Sequence, residues 1–222
     1  MGRFGCPLFF WVKSAHDIAG LKAKLGKHDR TQSEAEEKVL NIDKMILHPD
    51  FDTNLRSFDN DIALIRLSER VTFSETIIPI CLPAEGFVGS FYNARIARVA
   101  QAPHISGTVS GWGRLEEDGL QPKFLHQVRL PLVDYNLCKE STKQHVTENM
   151  FCAGYEQAVG DSCQGDSGGP FEMYVDGVAY LAGIVSWGEG CARPGTYGFY
   201  TKVENYRDFI AKHTGYDNDG KN

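Results

Sequence analysis

Residues 161–170 read Asp-Ser-Cys-Gln-Gly-Asp-Ser-Gly-Gly-Pro, and Ser167 within them has the setting of a nucleophile. Its hydroxyl is preceded by Gly165-Asp166 and followed by two glycines, so the backbone can take the tight, unusual dihedrals of a sharp loop. Amides turned inward beside a reactive oxygen form an oxyanion hole, here offered by Gly165 and Ser167. Such donors are usually the largest electrostatic contribution to acyl transfer. The string also satisfies G-x-S-x-G, the strand-to-helix elbow of α/β-hydrolases. That elbow must lead into a helix. Here Pro170 is followed by Phe171–Val175, Asp176-Gly177 and Val178–Val185, which reads as a β-hairpin turning at Asp-Gly. The elbow reading fails on context.

A serine needs a base to take its proton, and the base needs an orienting group. Asp61, in Asp59-Asn60-Asp61-Ile62-Ala63-Leu64-Ile65, carries a carboxylate into an apolar strand, which is costly unless a partner uses it. Alone it could equally cap a turn. His16, His28 and His48 are the histidines upstream of Asp61. Asp161 lies six residues before Ser167 on the same loop and by itself reads as a solvated loop acid.

The elements that must position these groups are short and β-rich. Strands are predicted at Val39–Ile46, Ile62–Leu67, Thr108–Trp112, His126–Leu132, Ala179–Trp187 and Gly198–Val203, punctuated by Gly, Pro, Asn and Asp. Two helices stand out: Asp134–Glu140, with Asp134 as N-cap, and Val203–His213, where Val203, Tyr206, Phe209 and Ile210 share a face. Residues 84–107 are weakly patterned and read as a connection between two halves.

Composition bounds the function. A net charge of −6 over 222 residues argues against nucleic acid as a partner. No apolar run approaches the ~18 residues of a membrane span. Six cysteines, at 6, 81, 138, 152, 163 and 191, lack the C-x-x-C spacing of zinc sites and suit disulfides in an oxidising compartment. No metal site is expected, and an extracellular setting is.

Taken together, the serine loop, the Asp-Ile-Ala-Leu segment at 61–64 and Ile-Cys-Leu-Pro at 80–83 resemble the trypsin-like, chymotrypsin-fold serine proteases. Asn149–Tyr155 and Gly183–Arg193 are similar to the vitamin K-dependent clotting branch and to complement proteases. The resemblance implies an all-β fold of two six-stranded antiparallel barrels with a C-terminal helix. It implies an N-terminal barrel over 16–83, a connection over 84–107 and a C-terminal barrel over 108–222. It makes Ser167 the nucleophile and Asp61 the acid. It also implies that Asp161 forms the floor of a pocket for Arg or Lys, with Ser162, Gly188, Gly190 and Gly198 around it. Ser186-Trp187-Gly188 would pair with extended substrate backbone. Cys138 would bond Cys152, and Cys163 would bond Cys191, each closure being worth about 3 kcal/mol in the chain-entropy model. Cys81 would join a light chain or upstream module.

Further expectations concern ions and the N-terminus. Tyr197 before Gly198 is similar to members that bind sodium beside the pocket. The calcium loop would map to residues 27–37, where Asp29, Glu34 and Glu37 could be ligands. Lys27 stands in place of an acid there, so its cation substitutes for the metal. Trp11-Val12-Lys13-Ser14-Ala15-His16 resembles the family's histidine segment with one alanine fewer, and Asp17 replaces the cysteine that follows. His16 is thus the candidate base, against a surface histidine in a foreign segment. His28 and His48 match ordinary surface positions. Residues 1–15 read as an aberrant or truncated segment without the family's activation terminus, and the N-terminal barrel is expected to be short of strands. The functional expectation is a secreted endopeptidase cutting after Arg or Lys and needing no cofactor. The alternative is an inactive homologue that binds proteins through the same surface. A lectin or immunoglobulin-like protein has no support beyond strand content.

Overall fold

The computed structural model describes residues 20–52, 57–91, 105–157 and 160–216. His16, Cys6 and Asp17, the expected domain start at 16, and 92–104 of the expected connection lie outside them. Nine strands, two named helices and a further helical stretch at 87–91 organise the described chain. A first antiparallel sheet has the order β1 (Lys22–Leu25), β2 (Lys38–Leu47), β3 (Ala63–Leu67). A second contains β4 (Ser106–Gly111), β5 (His126–Pro131), β6 (Met150–Ala153), β7 (Pro170–Val175), β8 (Val178–Trp187) and β9 (Gly198–Lys202), in the order β5-β4-β7-β8-β9-β6. The fold is all-β and chymotrypsin-like.

The second sheet closes on itself. Leu132, just beyond β5, bridges Ala153 of β6, with Val133 N donating to Cys152 O and Gly154 N to Pro131 O. Closure removes the exposed strand edges that invite mispairing. Its interior is aromatic: Phe151, Phe171 and Tyr200 are at most 1% exposed and meet with ring centroids 4.8–5.3 Å apart. Gly107 makes room for this cluster, since a Cβ there would stand 2.1 Å from the Phe171 ring. Full burial of such side chains contributes about 1.5–3 kcal/mol each.

Several elements differ from the pattern read in sequence. β6 reads Met-Phe-Cys-Ala and is buried at every position, so it carries no alternation to betray it. β1, Lys-Ala-Lys-Leu, is short and buries only Ala23. β4 stops at Gly111 because Trp112 turns away, its indole donating to His28 O across the two sheets. The expected C-terminal helix is two elements: a 3₁₀ turn at Val203–Tyr206 and α2 at Arg207–Thr214, ended by Gly215 at φ 70°. The tighter first turn buries Val203, Glu204 and Tyr206 together. The shorter helix, α1 (Tyr135–Glu140), starts as expected, with Asp134 accepting from Asn136 N. The Asp176-Gly177 turn has φ of 50° and 80°, as a type I′ hairpin requires.

The two sheets share a core. Ile62 and Leu64 pack with Leu181 and Ile184 of β8 and with Val203, Tyr206, Phe209 and Ile210. His48 also belongs here, with its ring 4.8 Å from Phe209 and 5.3 Å from Tyr206. It is therefore a half-buried packing residue rather than an ordinary surface one, and burial pushes its imidazole below the usual value. The chain between the sheets is anchored by Glu204, 7% exposed, whose Oε2 accepts from Val88 N at 2.8 Å in a helical stretch at 87–91. Glu204→Ala strands that buried donor. A loss of about 2 kcal/mol in unfolding free energy is expected, seen as a lower urea midpoint at unchanged m.

Candidate active site

Strand β8 gathers the site. Val185 exchanges hydrogen bonds with the two residues that follow the serine: Gly168 N donates to Val185 O at 2.8 Å, and Val185 N donates to Gly169 O at 2.9 Å. The next residue, Ser186, donates its hydroxyl to Asp61 Oδ2 at 2.6 Å. Ser167 and Asp61, far apart in sequence, are thus attached to adjacent residues of one strand. Asp61 is held further by Thr201 Oγ1 on its carbonyl, while its Oδ1 has no donor among the described residues. Burial raises the Asp61 pKa, partly offset by the Ser186 hydrogen bond. The sequence suggested Ser186 only as backbone for substrate; its hydroxyl partnership with the acid was missed.

Ser167 is exposed at the tip of its turn. Asp166 N donates to Cys163 O, and Gly169 N donates to Asp166 O. The Gly165 and Ser167 amides donate to no acceptor among the described residues. Gly165 has φ 101°, and a Cβ there would stand 2.8 Å from Gln121 Nε2, so both backbone and space demand glycine. The turn is braced from within by Asp166. Its Oδ1 accepts from Gly113 N at 2.7 Å and its Oδ2 from Cys163 N at 3.0 Å. A Cβ on Gly111 or Gly113 would strike that carboxylate at 2.0–2.3 Å.

Asp161 lies on the other side of the same loop. Its carboxylate accepts from Ser162 N at 2.8 Å and Ala192 N at 3.2 Å, and no cation pairs with it among the described residues. Ser162, 9% exposed, shares a hydrogen bond with the fully buried Tyr200 hydroxyl at 3.1 Å. Tyr200 was not anticipated here; its position inside the barrel carried no polar signal. A Cβ on Gly198 would approach Asp161, Ser162 and Tyr200 to 3.0–3.1 Å, so a side chain there would press on the acid. Gly190, at φ 84°, would meet Arg193. Gly188 has looser surroundings, with nothing nearer than 3.7 Å. The Cys163–Cys191 disulfide ties the loop to the opposite wall, and Cys138–Cys152 pins α1 to β6. Beside this cleft Trp187 stacks between Phe199, at 3.9 Å, and Phe58, at 5.2 Å. Tyr197 borders the same cluster and touches the space over Gly154.

The model of the trypsin family matches residues 11–210. The chain belongs to the trypsin family of serine proteases. It is 39% identical over 198 residues to coagulation factor IX of the guinea pig, a match covering 88% of this chain and 66% of that protein. The likeness is to a clotting protease, of whose length the chain spans 66%. Among the described residues no helix is long and apolar enough to cross a membrane.

The acidic loop at 27–37 does not fit a calcium ion. The Lys27 ammonium lies 2.5 Å from Glu37 Oε2 and 3.9 Å from Glu34 Oε2, and also donates to Gln32 O. Glu34 is committed to the amides of His28 and Asp29, while Asp29 binds Thr31 and Lys123. These bonds hold the Glu34 and Glu37 carboxyls below the usual range, Glu34 chiefly through the His28 amide and Glu37 chiefly through Lys27. Their contribution to order is therefore present above the ordinary carboxylate pKa and lost as pH falls through the lowered values. Lys27→Met should leave two carboxylates facing each other and speed hydrogen exchange of the His28 and Asp29 amides at neutral pH.

Asp161 behaves in the opposite sense. Burial pushes its pKa from 3.8 up to about 6, against the pull of the Ala192 and Ser162 hydrogen bonds. Folding then favours the neutral acid. Stability from this group is full below pH 3.8 and is lost as pH rises through about 6. Relative to wild type, Asp161→Asn should gain on the order of 2 kcal/mol between pH 4 and 7, read from paired urea titrations.

Proposed function

We propose that this chain is the catalytic domain of a secreted endopeptidase that cuts after Arg or Lys in clotting-type limited proteolysis. The observation that carries the reading is the Asp161 carboxylate: it is largely desolvated, held by two amides and paired with no cation among the described residues, on the loop that presents Ser167. A buried charge of this kind selects a guanidinium or ammonium, and a bidentate Arg contact would be the strongest.

In this mechanism the substrate's Arg or Lys enters over Ser162, Gly188, Gly190 and Gly198, and its backbone pairs beside Ser186-Trp187-Gly188. Ser167 Oγ attacks the carbonyl carbon. His16 takes the serine proton and later hands it to the departing amine. Asp61, steadied by Ser186, orients the histidine and stabilises its cation. The amides of Gly165 and Ser167 receive the oxyanion as it forms. Water then attacks the acyl-enzyme by the same route in reverse. Nucleophile, base and acid are all side chains, so the reaction requires no cofactor. Secretion is supported by the two disulfides, and linkage to an upstream chain by Cys81, which is free and exposed.

A fluorophosphonate probe and an arginine amide substrate test the proposal together. Ser167 should be the labelled residue. His16→Ala should lower kcat/KM by ~10⁴-fold or more, and Asp161→Asn should abolish the preference for Arg over a neutral side chain. A chain that neither labels nor turns over the amide would instead be a binding homologue.

A further inference from the structure

Between Gly113 and Gln121, which border the serine turn, residues 114–120 have had no role so far, yet the segment 113–121 grips both parts of the site. At its start, Gly113 N donates to Asp166 and Arg114 N to Gln164 O at 2.9 Å, on the serine loop. At its tip, Glu117 forms a two-pronged ion pair with Arg193: Nε donates to Oε2 at 2.7 Å and Nη2 to Oε1. The same Oε2 also accepts from Cys191 N at 3.4 Å. Arg114 folds the segment back by donating to Gly119 O at 2.9 Å.

Between Cys191 and Arg193 stands Ala192, which has φ 49°, a left-handed conformation rare for a residue with a Cβ. Its N–H donates to Asp161 Oδ2. Glu117 therefore holds the residues on either side of the one that supplies a hydrogen bond to the pocket acid. The pair is half-exposed, with Arg193 56% and Glu117 31% accessible, so it adds little to global stability. Its geometry matters more, because a forked carboxylate–guanidinium contact fixes orientation as well as distance.

We propose that Glu117 and Arg193 are positioning residues for the Asp161 pocket: their ion pair clamps residues 191–193 in the strained turn that aims the Ala192 amide at Asp161. Affinity for a cationic side chain is thereby tied to the conformation of the 113–121 segment, which also holds the serine loop through Gly113. Cleavage or displacement of that segment loosens the pocket wall without touching any residue that contacts substrate. This inference rests on the reading of Asp161 as the acceptor of Arg or Lys.

The test titrates p-aminobenzamidine, an aryl amidine, into the full chain by fluorescence between pH 5 and 8. Glu117→Gln and Arg193→Gln should each weaken binding about five-fold or more, and the exchange of Glu117→Arg with Arg193→Glu should recover most of the loss. The pH midpoint for binding should also rise in the single variants. Release of the Ala192 amide removes one bond that favours the ionised acid, while the other groups facing Asp161 stay in place: the Ser162 amide and hydroxyl, the Tyr200 hydroxyl and the Asp166 carboxylate. A simple loss of fold order would not move that midpoint in this direction or be repaired by charge exchange. Single variants that bind like wild type with the same midpoint, while Asp161→Asn abolishes binding, overturn the clamp and leave the cation reading intact. Weakened single variants that the exchange fails to repair also overturn it. No binding by wild type, or binding indifferent to Asp161→Asn, overturns both.

Discussion

The two hydrogen bonds accepted by the Asp166 carboxylate set the shape of everything around them. Gly113 N and Cys163 N converge on it from opposite sides, and Gly111 and Gly113 have no side chains because the carboxylate fills that space. A charged acceptor with two amide donors is worth more than a neutral one, and removing it would leave both donors facing a void. With Asp166 turned inward, Gly165 must bend through a positive φ and Ser167 must point out. The amides of Gly165 and Ser167 are thereby left without acceptors among the described residues, which is the condition the proposed oxyanion role requires. The exposed serine hydroxyl and the two unengaged amides thus follow from one half-buried interaction.

The rest of the fold extends that constraint outward. Val185 pairs with Gly168 and Gly169, and Ser186 bonds Asp61, so β8 converts the position of the serine turn into the position of the acid. The core joining Ile62 and Leu64 to Ile184 and Phe209 keeps the two sheets from sliding past each other. On the opposite flank, the Cys163–Cys191 bridge carries the constraint to Ala192, whose amide donates to Asp161. Asp161 itself is held at a cost to the fold, since burial disfavours its ionised form. The proposed function accounts for that cost, since a site that receives a cationic side chain keeps its acid against stability.

Much of this was legible in the sequence, and the legible parts share a physical reason. The Gly-rich serine loop, the Asp176-Gly177 turn and the Asp134 cap are local: each residue acts on backbone within a few positions, so spacing alone announces it. The alternating strands β2 and β5 were visible for the same reason. What escaped was contact between distant residues. Ser186 reaches Asp61 across 125 positions, and Glu117 reaches Arg193 across 76. Neither leaves a periodic trace. β6 escaped differently, because a strand buried on both faces loses its alternation. Glu204 likewise serves a distant partner, the Val88 amide 116 positions before it, which nothing in the local pattern announces.

Asp166 sets the serine turn and the surroundings of Asp161 together, and Asp166→Asn tests that coupling. The amide can accept from only one of the two donors and must turn an N–H toward the other. Fluorophosphonate labelling of Ser167 and p-aminobenzamidine affinity, measured on one preparation that still unfolds cooperatively, should both fall by more than about ten-fold. Labelling and affinity that both stay at wild-type values, or a fall in one with the other unchanged, would contradict it.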